Sequence, residues 1–349
     1  MKRSRTILAA PPGYTIKEQL SDRKMTQKEF ALRMDMSEKH ISRLINGDVR
    51  LTPDVAIRLE AVLGVPARYW SNLEAIYMEK LQQAEEENAM DTDIEIMKQM
   101  PYVEMAKLGW LSLKRRAEDK VRELRRYFGV ARLEVIEHLK MPGIAYRRLG
   151  KNAKSDYVLA AWSQKAKLLA QEIEVQPINL QRLSSNIAEI RGLTVKPPEY
   201  FIPQLNKYYG ECGIAVVYLR HLEGSFLQGA SFVDGKKIVI GLTLRGTDAD
   251  KFWFSLFHET GHILAGHINK PYGSDAEDEE YANNFAMNVL IPPDKYEAFV
   301  SLKDFSPKSV KDFANEVGID AGIVVGRLQK EGEVEFNQLN GLKTHYKFS

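Results

Sequence analysis

A single cysteine among 349 residues, Cys212, rules out any intramolecular disulfide. Its setting in the valine-rich stretch GECGIAVVYL reads as a buried strand thiol. No apolar run reaches the length of a membrane span, since charge or glycine breaks each one within about ten residues. The opening MKRSRTILAAPPGYT sets basic residues ahead of an apolar step, but ILAA is too short for a signal-peptide core. A cytoplasmic protein with no membrane partner is expected. Internal repeats and low-complexity tracts are missing, and so is the aromatic stacking motif that would recommend an RNA binder.

Net charge is small overall and unevenly spread. The formal net charge is only +2, yet residues 1–70 hold 13 Lys+Arg against 8 Asp+Glu, which leaves 36 against 39 for the rest. The excess sits where attraction to phosphate would use it, which permits nucleic-acid binding without showing it. Hydrophobic and charged shares of 44% and 28% are those of an ordinary globular protein. The length is too great for one ordinary core and predicts two or three folded parts.

The pattern is helical from Thr15 to about Tyr77, with breaks at Asp35, Gly47 and Gly64. The charged stretch KLQQAEEENAMDTDIEI reads as a helical or loose connector. Residues 101–190 are again helix-like, notably KRRAEDKVRELRRYFGV and SDYVLAAWSQKAKLLAQEI. After KPPEYFIP the pattern changes. GIAVVYLRHL and GASFVDGKKIVIGLTL read as strands, the latter pair turning at Asp234–Gly235. A helix carrying FWFSLFHETGHIL follows, then an acidic loop, GSDAEDEE, and a helix, YANNFAMNVL, stopped by Pro292–Pro293. The tail predicts two more helices. The expected class is α+β multidomain: an all-α domain at 1–78, a helical middle region at 79–194, a small mixed-sheet domain at 195–300 and its helical extension at 301–349.

The stretch FHETGHILAGH, Phe257 to His267, places two histidines four apart. On a helix they share a face, so His258 and His262 can both turn a ring nitrogen to one ion. Glu259 lies about 100° round from His258, near enough to act as a base without taking a ligand position. A catalytic zinc needs a third protein ligand and an open position. Helical spacing in EEYANNFAMNVLIPP puts Glu279 and Asn283 on one face. Glu279 can then complete the Zn2+ site while Asn283 orients a ligand histidine through its other ring nitrogen. Glu277 is the runner-up, set further into the loop. Phe252, Trp253, Phe254, Leu256 and Phe257 should bury this helix. Gly261 costs about 1 kcal/mol relative to alanine, tolerated where another backbone approaches closely. His267 lies about 140° round the helix from His262, beyond Gly266, and is expected to be structural rather than a ligand. His40, His138, His221 and His345 have no partner at metal spacing.

FWFSLFHETGHILAGH with EEYANNFAMNVLIP resembles the ImmA/IrrE family of zinc metallopeptidases over roughly residues 195–300 and into the tail. The resemblance implies zinc held by His258, His262 and Glu279, with Glu259 as catalytic base. It also implies cleavage of a particular regulatory protein, often a repressor. Tyr281 stands where many relatives carry a further acidic residue.

Near the other end, TQKEFALRMDMSEKHISRLINGD has Thr26 and Glu29 at capping-box spacing and small Ala31 where a second helix can cross. Asp35 occupies the turn, and Ser37 caps a helix whose Ile41 and Leu44 point inward against Phe30 and Met36. Its outward set is Glu38, Lys39, His40, Ser42 and Arg43, suited to base edges. Gln27, Asn46 and Arg50 are placed to meet phosphates. Ser37 joins them on the face expected to meet DNA. The stretch resembles Cro/repressor-like (XRE) helix-turn-helix domains. PPGYTIKEQLSDRKMTQ and LTPDVAIRLEAVLGVPARYWSNLEAIY resemble the HigA antitoxin branch, over about residues 10–78. Relatives usually have glycine at Asp35 and often at Met25.

Two functions are expected to compete. One is a zinc endopeptidase tethered to a domain that binds a double-stranded operator, so that a repressor or toxin-system partner is met at raised local concentration. The other is a HigA-like antitoxin or repressor whose zincin part binds or senses with little turnover. A homodimer is expected if the operator is palindromic.

Overall fold

A computed structural model describes residues 2–137, 153–223, 228–244, 248–270 and 274–346. His138 lies outside the described residues. The chain divides into two compact units, Met1–Ile96 and Met97–Ser349. The boundary falls inside the expected 79–194 region, and residues 195–300 lie in one unit with their 301–349 extension.

The first unit pairs β1 (Lys2–Arg3) antiparallel with β2 (Leu8–Ala9), so it is not wholly helical. Five helices follow: α1 (Gly13–Asp22), α2 (Gln27–Arg33), α3 (Glu38–Asn46), α4 (Pro53–Leu63) and α5 (Ala67–Gln99), whose last residues pass into the second unit. The breaks between them are local in cause. Asp35, Gly47 and Gly64 all adopt left-handed φ, at 52°, 78° and 71°. Phe30, Met34, Ile41, Leu59 and Trp70 are fully buried and knit α2 to α5 into one core. The connector is helical throughout, α5 being 33 residues long. Local i,i+4 pairs such as Gln83 to Glu79 at 3.2 Å run along it, and Thr6 Oγ1 donates to its Glu87 at 2.9 Å.

The second unit begins with α6 (Tyr102–Lys107), α7 (Ala117–Phe128), a 3-10 turn at Leu133–Glu137 and α8 (Ala153–Gln171). Short α9 (Leu180–Ser185) and α10 (Ile187–Gly192) lead to α11 (Pro198–Gly210). Three strands form a mixed sheet in the order β3 (Ile214–Arg220), β5 (Lys237–Leu244), β4 (Gly229–Asp234), with β3 parallel and β4 antiparallel to β5. The hairpin turns through Gly235 and Lys236, between the paired Asp234 and Lys237. Then come α12 (Ala249–Leu264), α13 (Ala276–Leu290), α14 (Pro293–Ser301), α15 (Pro307–Val317) and α16 (Ala321–Glu331).

Alternation along the strands buries both sheet faces. Ile214, Val216, Ile238 and Ile240 face a core shared with Phe201, Tyr209, Trp253 and Phe257 from α11 and α12. On β5, Gly241 admits the ring of Trp162 from α8, which packs on β3 and β5. The middle-region helix is therefore a layer of the second unit. Its carbonyl end is closed by Lys237, whose Nζ donates to Ala170 O at 2.9 Å and Ile173 O at 2.6 Å. On the other side, α16 packs on α12 through Ile323, Val324 and Leu328.

Candidate functional site

The aromatic residues of α12 anchor the helix. Phe252, Trp253, Leu256 and Phe257 are buried, and Trp253 Nε1 donates to Tyr346 Oη at 2.8 Å. That leaves His258 and His262 on the edge facing α13. The two helices approach closely at Gly261, where a Cβ would stand 3.3 Å from the Ala282 Cα and 3.1 Å from Phe285 Cδ1. The expected close backbone is thus Ala282.

Helix α13 starts a turn earlier than the acidic loop suggested. Asp275 caps it in a reciprocal box with Asp278, at 3.0 and 3.1 Å, and Glu277, Asp278 and Glu279 occupy its positively polarised first turn. Glu277 is therefore helical, not a loop residue, and it is exposed.

This start delivers Glu279 to the histidines. His258 Nε2 and His262 Nε2 are 3.1 Å apart, while Glu279 places Oε2 3.6 Å from the first and Oε1 3.4 Å from the second. Donors about 2.0–2.1 Å from zinc stand about 3.3 Å apart in a tetrahedron, so the spacing suits such a cation. Among the described residues, these three are the one group of three or more His, Cys, Asp or Glu arranged to hold a metal. Side-chain exposures of 12%, 8% and 22% leave the cluster reachable from solvent.

The next ring of groups is equally specific. Asn283 Oδ1 lies 3.0 Å from His258 Nδ1. Ser274 Oγ donates to Glu279 Oε1 at 2.6 Å. Glu259 is buried, and Ser231 of β4 donates to its Oε2 at 2.7 Å. A side chain at Gly229 would press on Glu259 Cγ at 3.1 Å, so the strand lies directly against this carboxylate. His267, past the helix end, is not among the three clustered residues; its Nδ1 is 3.0 Å from His262 Nδ1 and its Nε2 3.0 Å from Asp278. Burial pushes the Asp278 carboxyl up. Hydrogen bonds from Lys270 and the Asp275 backbone, with His267 nearby, outweigh this and hold it below its ordinary value. A cleft of about 1390 Å³ opens beside the cluster, lined by Phe254, Glu279, Asn283, Met287, Arg327 and Lys343 among others.

In the first unit, Thr26 accepts from the Glu29 backbone at 3.2 Å, but the Glu29 carboxylate bonds Arg33 at 2.7 Å instead of completing the expected box. Ser37 caps α3 by accepting from the His40 backbone at 3.2 Å. The turn between α2 and α3 is closed by Arg58, which donates to Met34 O at 3.0 Å. Phe30, Ala31, Ile41 and Leu44 are buried and Met36 packs against them. Gln27, Ser37, Glu38, Lys39, Ser42, Arg43, Asn46 and Arg50 are all exposed. His40 departs from the outward set, being half-buried with its Nε2 enclosed.

A family model described as "Helix-turn-helix" matches residues 16–70, spanning α2, its turn and α3. A protein of Escherichia coli (strain K12), named "Uncharacterized HTH-type transcriptional regulator YddM", is 38% identical over 63 residues, covering 18% of this chain and 67% of that protein. The chain belongs to the helix-turn-helix family. A solved structure of an addiction module antidote protein of a HigA family from Coxiella burnetii is 23% identical and covers 24% of this chain and 94% of its own. Its TM-score is 0.22.

The helix-turn-helix segment lies wholly within the first unit. Sequence reasoning missed Ser231, Ser274 and the partners of His267. Ser231 had no signal, because the packing of β4 on α12 brings it beside Glu259. Asp278 had one: its place three residues after Asp275 is capping-box spacing.

Proposed function

We propose that the chain is a DNA-binding transcriptional regulator fused to a zinc-dependent endopeptidase that cleaves a specific regulatory protein, a repressor or toxin-system partner. The observation that carries the reading is the convergence of His258, His262 and Glu279, with Glu259 next to His258 in the chain and held by Ser231. It agrees with the resemblance of this stretch to ImmA/IrrE metallopeptidases. The DNA-binding half rests on the helix-turn-helix match and on the exposed polar face of α3.

His258, His262 and Glu279 would hold the zinc, which when bound supplies a Lewis acid and brings the pKa of water towards about 7. Asn283, accepting from His258 Nδ1, leaves the Nε2 lone pair directed at the cluster. Glu259 serves as the general base, taking a proton from the attacking water and passing it to the departing amine. Ser231 fixes the position of its Oε2. The neighbouring cleft would take the substrate chain, with Phe254 and Met287 offering apolar contact and Arg327 and Lys343 positive charge.

The test uses the full chain and its Glu259→Gln variant, with the protein encoded by the adjacent reading frame as the candidate partner. Zinc content and operator affinity should be unchanged in the variant while cleavage of that partner is lost. A wild-type chain without zinc overturns the peptidase reading. Cellular regulation that survives Glu259→Gln unaltered favours the HigA-like repressor or antitoxin, with the second unit binding or sensing.

A further inference from the structure

His267 presents a problem of proton placement. Its Nδ1 and His262 Nδ1 are 3.0 Å apart, and two unprotonated or two protonated nitrogens would repel at that distance. One proton must lie between them. The other His262 nitrogen, Nε2, is the one that faces His258 and Glu279. If that nitrogen keeps its lone pair for a cation, the His262 proton is on Nδ1 and His267 Nδ1 accepts it. The His267 proton is then on Nε2, where Asp278 Oδ1 receives it at 3.0 Å. Lys270 closes the sequence by donating to Asp278 Oδ2 at 2.5 Å.

We propose that His267 and Asp278 are positioning residues, a hydrogen-bonded relay that holds His262 in the ring orientation and tautomer required of a metal ligand. The inference rests on the metal reading above and deepens it. His262 and Asp278 are each at least nine-tenths buried, so water offers little alternative partnership to either. The backbone is built to bring the ring back. In a continued helix His267 would stand about 140° from His262. Instead Gly266 takes φ 76° and a 3-10 turn, His267–Asn269, returns the imidazole to its neighbour.

Helix capping alone does not account for this arrangement. The capping box needs only Asp275 and Asp278, and neither of its two bonds involves His267. Because Asp278 directly precedes Glu279, one carboxylate serves two ends. It steadies His262 through His267, and through the cap it sets the start of the helix that carries the third clustered residue. Tyr281, which packs its ring edgewise on His267 with centroids 5.5 Å apart, limits the imidazole's other rotamers.

The test measures zinc affinity of the full-length protein by competition with a chromophoric chelator. His267→Leu removes both hydrogen bonds while keeping bulk, and should weaken zinc by about 10- to 100-fold. In His267→Gln the amide can still accept from His262 and donate to Asp278, so affinity should return to within a few-fold of wild type. The visible spectrum of the cobalt-substituted protein should change in the leucine variant and be restored by glutamine. A purely structural role would not produce that rescue.

A wild type that takes up no zinc overturns the metal reading itself. A wild type that binds zinc, with His267→Leu binding equally well, overturns the relay alone. Should the leucine variant fail to fold, nitrogen-15 histidine spectra of wild type decide. The relay requires an Nδ1–H tautomer at His262 and an Nε2–H tautomer at His267, and the opposite tautomer at His267 overturns it.

Discussion

Arg43 stands exposed on the face of α3 that an operator would meet, six residues beyond the Ser37 cap. A guanidinium there either forks onto a guanine edge or pairs with a phosphate, and the two leave different traces. With base contact, Arg43→Ala should cost about 1–3 kcal/mol and relax selectivity at one position. With phosphate contact it should weaken all sequences alike and lower the salt slope by about one. Anisotropy titrations at several salt concentrations separate these outcomes, and no change in either removes Arg43 from the interface.

Glu74 poses a different residue-scale question, because its Oε1 is enclosed without a hydrogen-bond partner among the described residues. Burial raises its carboxyl above the ordinary value of 4.5, against smaller opposing effects of the Leu51 backbone and Arg50. A raised acid pKa means the folded state holds the proton more tightly than the unfolded state does. This group's contribution to stability therefore falls as pH rises from 4.5 through the folded value. Glu74→Gln removes that dependence. Urea midpoints for the first unit should shift progressively in the variant's favour between pH 4 and 7, and a constant difference would place the carboxyl in water.

At the scale of elements, what could be read in advance was whatever depends on near neighbours. Ser37 and Thr26 cap helices through backbone groups three residues away, so their spacing announces them. Asp35 in its turn and Asn283 four residues after Glu279 are equally local. Two local rules conflict at the start of α13. AEDEE looks like a solvated loop by charge, yet three acids at a helix start suit the macrodipole and Asp275 supplies the cap. Long-range packing left no mark of its own. The apolar spacing of α8 is the same for a helix in a connector as for one lying on a sheet, and only Gly241 makes room for Trp162. A Cβ at 241 would fall 2.5 Å from Trp162 Cη2 and 3.3 Å from Ala166 Cβ. Gly241→Ala should therefore destabilise the second unit by about 1–3 kcal/mol through overpacking. An unchanged urea midpoint would mean that α8 does not rest on β5.

For the molecule as a whole, the helix-turn-helix match and the histidine cluster fall in different compact units, so a ligand of one should leave a signature confined to that unit. A cation that binds the folded second unit and not its unfolded chain stabilises it by mass action, about 2.7 kcal/mol at a hundred times the dissociation constant. Chelation should therefore lower the melting of the α12–α13 region and speed amide exchange there. Exchange in α2 and α3, and operator affinity measured alongside, should not move. Added zinc should restore the lost protection, while His262→Ala should abolish both the loss and the recovery. Protection in α12 and α13 that ignores chelator and zinc alike would mean the two imidazoles and Glu279 hold together without a cation, as a buried hydrogen-bonded cluster, and the catalytic reading of Glu259 would lose its foundation.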